Sequence, residues 1–403
     1  MSDSLVLVSA KRSPFGRYLG SLADLEAVDL AVQVARAALH AGDRDLTPHV
    51  EQVFVGNCIQ ASFETGSVNG RQIGLKLGIG GFATTFDTAC CSPLTALRTA
   101  TMAMCLGELH CALVLGVESM SRTPHVARGL RSGVRIGPVE LTDFIYPIEY
   151  RGYNPVAVDA ATGAERHGVS KRLMDAWALG SHRKWAAARA AGRLDDEIVP
   201  IRVPTRFGEQ LFDFDEFARP TATLAKIEQL PAVFGSDTVT PGNAPGLNDG
   251  CAAVVVMTAA RAAELGIDPI AEIVATAWAT DEPIGIAWIP AAAIRAALER
   301  AGLGLDDLDL IEINEAFAAM PLVSTRILAG ADEERWFALL ARTNVNGGAV
   351  AIGHPVGASG LRIVMTLAYE LRRRGGGTGV AAICGGLSQG EAVIVRARGG
   401  RHA

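Results

Sequence analysis

Two cysteines and a histidine stand in this chain where glycine or proline meets the predicted start of a helix or the end of a strand. Cys90 lies in Phe86-Asp87-Thr88-Ala89-Cys90-Cys91-Ser92-Pro93-Leu94, which leaves a strand-like run and enters a helix. The N–H groups and dipole of a helix N-terminus favour a thiolate, so this setting predicts a lowered pKa and a nucleophile. Pro93 suits a first helical turn. His354 lies in the Gly-rich run Asn346 to Gly360, also ahead of a helix, where glycines and Pro355 would present its ring into a cleft. Cys384 follows a strand in Ile383-Cys384-Gly385-Gly386-Leu387, and glycines there leave backbone N–H donors accessible to an oxyanion. Asn314, in Glu312-Ile313-Asn314-Glu315-Ala316-Phe317, has an amide that could hold a water or an oxygen, and local sequence fits a helix cap equally well. Taken singly, Cys90 also fits a packed core residue and His354 a surface one. Their pairing is what points to chemistry.

Elements must hold these residues in place. Short β-type runs at Val53–Gly56, Leu113–Gly116, Ala252–Met257, Leu308–Ile313 and Val380–Ile383 alternate with Ala- and Leu-rich stretches, the rhythm of a layered α/β protein. Apolar spacing predicts helices over Asp29–Ala41, Leu94–Leu106, Ala291–Ala301 and Leu361–Arg373. Ser92-Pro93-Leu94 opens one helix and Ser359-Gly360-Leu361 another, and each helix leads to an apolar strand, ending at Val117 and Cys384. A further Gly-led strand follows in each case, from Gly250 and from Gly390. This echo predicts two similar α/β halves, 1–270 and 271–403, packed against each other; a chance likeness of two Ala-rich helices is the alternative. With two real halves, the helix starts beside Cys90 and His354 could converge on one site. Between about 119 and 248 the texture turns irregular and reads as an inserted loop domain. It has one clear helix near Lys171–Ala191 and a Gly/Pro/Asn loop over Pro241–Asp249.

Bulk properties exclude several classes of function. A chain of 403 residues exceeds one hydrophobic core, and 49% apolar residues, 44 glycines and 20% charged residues describe a densely packed enzyme. The net charge of −6 gives no electrostatic reason to bind nucleic acid, and Arg372-Arg373-Arg374 reads as a helix end. Seven scattered cysteines without CxxC pairing predict neither a disulfide framework nor a metal site, and imply a reducing cytoplasm. Lys11 and Arg12 follow the short apolar run at the start instead of preceding it, so that run reads as a first strand and not a signal peptide. No apolar stretch is long enough to span a bilayer, so no membrane partner is expected.

Together the segments around Cys90, Asn314-Glu315-Ala316-Phe317, Gly353-His354-Pro355 and Cys384-Gly385-Gly386 resemble the thiolases, the acetyl-CoA acetyltransferases and 3-ketoacyl-CoA thiolases. Gly116-Val117-Glu118-Ser119-Met120-Ser121, Gly242-Asn243-Ala244 and Leu247-Asn248-Asp249-Gly250 extend the likeness over the whole chain. The resemblance implies a duplicated five-layered α/β fold with an inserted loop domain, assembled as a homodimer or homotetramer. It implies an acyltransferase of lipid and fatty-acid metabolism with acyl-CoA and CoA as partners, CoA being a substrate and no cofactor being permanently bound. It assigns Cys90 as acyl carrier, His354 as its activator and Cys384 as acid/base. One oxyanion pocket would come from His354 and a water on Asn314, the other from the N–H groups of Cys90 and Gly386. For CoA it suggests Arg219 at the adenine end, with Phe234, Pro245 and Phe317 along the pantetheine.

Several positions depart from the family pattern. Cys91 and Pro93 stand in the usual Cys-x-Ser-Gly-Leu, Pro245 replaces a serine that touches pantetheine, and Leu387 interrupts a glycine run. Asp159-Ala160 are aligned with a His-Met pair lining the acyl pocket, which predicts a widened pocket favouring longer or branched acyl chains. Two other readings are a ketosynthase-like condensing enzyme, whose site uses a second histidine where Cys384 stands, and a non-catalytic thiolase-like subunit that binds acyl-CoA.

Overall fold

The computed structural model describes residues 4–62, 67–134, 136–145, 150, 152–206, 208–330 and 332–399. The outer ends of the two expected halves, at residues 1 and 403, lie outside these.

Apolar runs pair into one mixed sheet because each carries side chains that can be buried on both faces. Its strands are β1 (Leu5–Arg12), β2 (Gln52–Gly56), β3 (Phe82–Phe86), β4 (Cys111–Ser119), β5 (Asn248–Thr258), β6 (Ala271–Thr280), β7 (Leu310–Ile313), β8 (Gly376–Gly385) and β9 (Gln389–Arg398). They lie in the order β7-β8-β9-β6-β1-β5-β4-β2-β3, with the short Gly16–Arg17 strand paired to β5 as the tenth. In the first half β2 is parallel to β4, and β4, β5 and β1 are antiparallel neighbours. The second half repeats that pattern: β7 is parallel to β8, and β8, β9 and β6 are antiparallel neighbours. The halves join where β1 meets β6 through Leu5–Ile273, Val6–Glu272 and Leu7–Ala271. The echo read from the sequence is therefore a repeat of topology.

The principal helices are α1 (Ala27–Ala38), α2 (Ser92–Cys105), α3 (Val156–Arg166), α4 (Lys171–Ala190), α5 (Ile289–Ala301), α6 (Ala319–Ala329) and α7 (Ser359–Arg373). The period-2 alternation of each strand sorts them into layers. Ala252, Val254 and Val256 of β5 and Ala381 and Ile383 of β8 face α2 and α7 in a central core. Cys251, Ala253, Val255 and Met257 of β5 face α1. Val380, Ala382 and Cys384 of β8 face α5 and α6. The layers thus run helix, sheet, helix pair, sheet, helix. Enclosed within the central core, α7 is buried nearly all round, with every residue from Ser359 to Ala368 buried, the polar Arg362 and Thr366 included. Both α2 and α7 begin two residues earlier than apolar spacing alone suggests, because Ser-Pro and Ser-Gly form their first turns.

The insertion, which holds α3 and α4, is tied to β1 by buried charge. Arg12 donates to Glu197 at 2.8 Å and to Asp215 at 2.7 Å, and Asp215 also accepts from Trp185 Nε1 at 3.0 Å and Phe15 N at 2.9 Å. The guanidinium holds the Asp215 carboxyl below its ordinary range against the opposing effect of burial. Removing one member of such a group leaves a buried charge uncompensated. Asp215→Ala is expected to lower the unfolding free energy by about 3–5 kcal/mol, read from urea midpoints. A loss below about 1 kcal/mol, the size of a surface pair, would show that the network does not hold the insertion.

Candidate active site

The chain reaches Cys90 through a sharp turn. Ala89 adopts a left-handed φ of 52°, and its N–H is held by Asp87 Oδ1 at 3.0 Å. Ser92 Oγ accepts from Thr88 N at 2.9 Å, and α2 starts at Ser92 with Pro93 in its first turn. Cys90 is half-buried beside that helix start, while Cys91 is fully buried, its Sγ set towards the carbonyl of Ile383 at 3.7 Å. The departure at Cys91 is thus a core contact between the two halves.

His354 is placed by the start of α7. Gly353 precedes it with a φ of +100°, and any side chain there would overlap Asn248, whose Oδ1 accepts the His354 N–H at 2.9 Å. Ser359 Oγ donates to Pro355 O at 3.1 Å, so it accepts from His354 Nδ1, 2.7 Å away. This puts the ring proton on Nδ1 and leaves Nε2 as a proton acceptor. Nε2 lies 3.5 Å from Asn314 Nδ2, and Asn314 is fully buried with no partner for its Oδ1 among the described residues. Asn314 follows β7 and is not a helix cap, since α6 begins only at Ala319.

Glycines bring these pieces together. A Cβ on Gly360 of α7 would fall 2.8 Å from Pro93 Cγ of α2, and one on Gly116 would collide with the Gly357 carbonyl. A Cβ on Gly385 would fall 2.9 Å from both Cys91 Sγ and the Thr88 carbonyl. The Cys90 turn, the His354 loop and the end of β8, with Cys384 in the strand and Gly386 just past it, therefore meet at one junction between the halves.

The electrostatics there differ from the sequence reading. Burial, then the neighbouring Glu118 and Asp87 carboxylates, push the Cys90 thiol up to about 12 instead of down. Burial and Cys90 likewise push the Cys384 thiol up. Burial, assisted by Arg362, brings His354 down to about 3 and keeps it neutral. The helix N-terminus alone misled that expectation because it omits desolvation and Glu118. Glu118 is a residue the motif reading quoted without assigning a role. It is fully buried, raised to about 8 by burial, and accepts from Asn57 Nδ2, Cys58 N and Ile59 N at 2.9–3.1 Å. An acid ending the apolar strand β4 was the available signal.

The residues expected at CoA gather around the loop Asn243–Gly246. Asn243 O accepts from Ala318 N at 2.9 Å, joining that loop to the Asn314–Phe317 segment. Phe317 is 8% exposed in the apolar cluster that also contains Cys384, with Phe234 packed against it. Pro245 is half-buried beside Gly246, on which the Phe217 ring rests, and the exposed Arg219 lies 5.1 Å over that ring. His182, which sequence reasoning did not select, accepts from Arg219 N at 3.2 Å. Asp159 instead accepts from Asn154 Nδ2 at 2.9 Å in the first turn of α3, tying that helix to the segment before it.

The comparisons agree with this architecture. The thiolase N-terminal domain matches residues 5–260 and the thiolase C-terminal domain residues 267–397. The human mitochondrial 3-ketoacyl-CoA thiolase is 39% identical over 397 residues, 97% of each chain. The acetyl-CoA acetyltransferase of Cupriavidus necator is 41% identical over 403 residues, covering 98% of this chain and 99% of that one. The human mitochondrial 3-ketoacyl-CoA thiolase in complex with CoA superposes with a TM-score of 0.90 at 38% identity, covering 98% of both chains. The chain belongs to the thiolase family and is an acyltransferase.

A thiol raised to about 12 gains its charge only far above neutrality. Labelling of Cys90 by iodoacetamide, followed by peptide mass spectrometry, is expected to accelerate about tenfold per pH unit from about pH 7 to about pH 10. A plateau near pH 7 would show a thiolate already formed in the free enzyme.

Proposed function

We infer that the chain cleaves 3-ketoacyl-CoA with CoA and runs the reverse Claisen condensation. The observation that carries this reading is the junction itself: the Cys90 turn, the loop with the neutral His354 and the strand end with the Cys384 thiol meet there from two halves. As Cys90 Sγ attacks the 3-keto carbon, His354 Nε2 takes its proton, so a free thiolate need not form beforehand. The developing oxyanion is met by His354 and a water on the unpartnered Asn314 Oδ1. The C2–C3 bond breaks, and the acetyl-CoA enolate leaves and takes the Cys384 proton at C2. CoA then attacks the acyl-Cys90 thioester, with its proton passing to the Cys384 thiolate and its oxyanion held by the Cys90 and Gly386 N–H groups. Cys90 departs and recovers its proton from His354. The raised thiol of Cys384 suits it as the proton donor to an enolate.

CoA enters as a substrate, its adenine end at Arg219 and its pantetheine along Phe234, Pro245 and Phe317. The thiolase relatives favour neither the ketosynthase nor the non-catalytic reading. The division into 1–270, with the insertion at about 119–248, and 271–403 is supported by the domain limits near 260 and 267. All seven cysteines are free, which supports a reducing cytoplasm, and no helix among the described residues is long and apolar enough to cross a membrane. The human relative's name places that protein in mitochondria.

Incubation with acyl-CoA and peptide mass spectrometry is expected to find the acyl group on Cys90 alone, and Cys90→Ala is expected to abolish both labelling and thiolysis. A label on Cys91, or none, would contradict this assignment.

Assembly as a homodimer or homotetramer belongs to the same proposal. Strand β3 closes one end of the sheet with Phe82 72% exposed, and Met102 of α2 and Leu106 just after it are also exposed. An open apolar edge of this kind favours pairing with a second copy. Light scattering is expected to give two or four times the chain mass, and a monomer would refute it.

A further inference from the structure

Gly386 stands one residue past β8, and a Cβ on it would fall on the hydroxyl of Tyr150 and 2.8 Å from its ring carbon Cε2. The phenol thus occupies the space in front of a glycine whose N–H the thiolase reading assigns to the acyl-enzyme oxyanion. We propose that Tyr150 is the specificity-determining residue of the acyl pocket, its ring closing the space into which the acyl chain on Cys90 would extend and restricting the enzyme to short acyl groups. This inference rests on the thiolase reading above.

A thioester on Cys90 whose oxygen is held by the Cys90 and Gly386 N–H groups has its carbonyl within about 3 Å of Gly386 N. The first carbons of its chain then run beside the face of Gly386 that Tyr150 covers. Burial, followed by the Cys90, Cys58, Asp87 and Cys384 groups, pushes the Tyr150 phenol up, so the hydroxyl lies among the site's own charges and keeps its proton. An alkyl chain pressed against that hydroxyl would strip it of hydrogen-bonding partners, a further cost to longer substrates.

The backbone at Tyr150 is tied to its neighbours. Tyr153 N–H donates to Tyr150 O at 2.9 Å, forming a turn, and Asn154 Nδ2 donates to Asp159 Oδ1 at 2.9 Å, anchoring that turn to α3. Helix α3 in turn packs through Gly163 against Ala287. Asp159, expected to vacate pocket volume, instead supports the segment that fills it. The acyl preference therefore reverses the one drawn from Asp159-Ala160.

The test is kcat/KM over acetoacetyl-CoA, 3-ketohexanoyl-CoA and 3-ketodecanoyl-CoA. The wild-type enzyme is expected to prefer acetoacetyl-CoA. Tyr150→Ala is expected to raise the decanoyl-to-acetoacetyl ratio about tenfold or more, and Tyr150→Phe to keep the wild-type order, since the ring supplies the volume. If Tyr150→Ala does not fold, Tyr150→Trp is expected to lower the hexanoyl-to-acetoacetyl ratio by about tenfold. A wild-type preference for the decanoyl substrate, or Tyr150→Ala and Tyr150→Trp ratios that both stay within about twofold of wild type, would overturn the role of Tyr150 alone. Absence of thiolysis on every substrate together with no acyl group on Cys90 would overturn the thiolase reading and this inference with it.

Discussion

The contact on which the site depends is the approach of two helix starts. Pro93 at the head of α2 and Gly360 at the head of α7 leave no room for a side chain between them, and Gly116 meets the Gly357 carbonyl just beside them. Each helix packs into the central core, α7 nearly all round and α2 through its first turns, so its position along its axis is set by close packing. Fixing the axes fixes the heads, and the heads carry Cys90 and His354. A shift of either helix would displace the Cys90 turn relative to the His354 loop, the groups proposed as nucleophile and base.

Burial at that contact governs the chemistry as much as the identities of the residues do. In water Cys90 would titrate near 9 and His354 near 6.5; at the junction they stand at about 12 and about 3. The same desolvation acts oppositely on an acid and a base, because in each case it penalises the charged form. The result is a neutral thiol beside a neutral imidazole whose tautomer is set by Ser359. Glu118 sharpens this arrangement. Its carboxyl group accepts from the backbone N–H groups of Cys58 and Ile59, and its charge opposes a free thiolate at Cys90.

A second device is positional. The segment at Asn243–Gly246 is joined by hydrogen bond to the chain just after Asn314, and Phe317 lies in the same apolar cluster as Cys384. Residues proposed to hold the long arm of CoA are thus packed against those proposed to act on its thioester. The insertion that carries Arg219 and Phe217 is in turn bound to β1 through the buried Arg12, Glu197 and Asp215 group. Elements from distant parts of the chain are held in one frame by charges that water does not reach.

The sequence by itself determined the repeated order of helix and strand, the segments around Cys90, His354, Asn314 and Cys384, and the family they belong to. These are local properties: apolar period, a proline or glycine at a helix head, and short motifs are all written in neighbouring residues. It could not determine the pKa of Cys90, because Glu118 and the loss of water come from folding, and the helix dipole it does display acts in the other direction. It could not reveal Tyr150, which sits in a stretch without periodicity and reaches Gly386 across more than half the chain. Nor could it show that Asp159 accepts from Asn154, since side-chain direction on a helix depends on what that helix packs against. Only tertiary structure decided these points, because desolvation and the space around a glycine are set by groups remote in sequence.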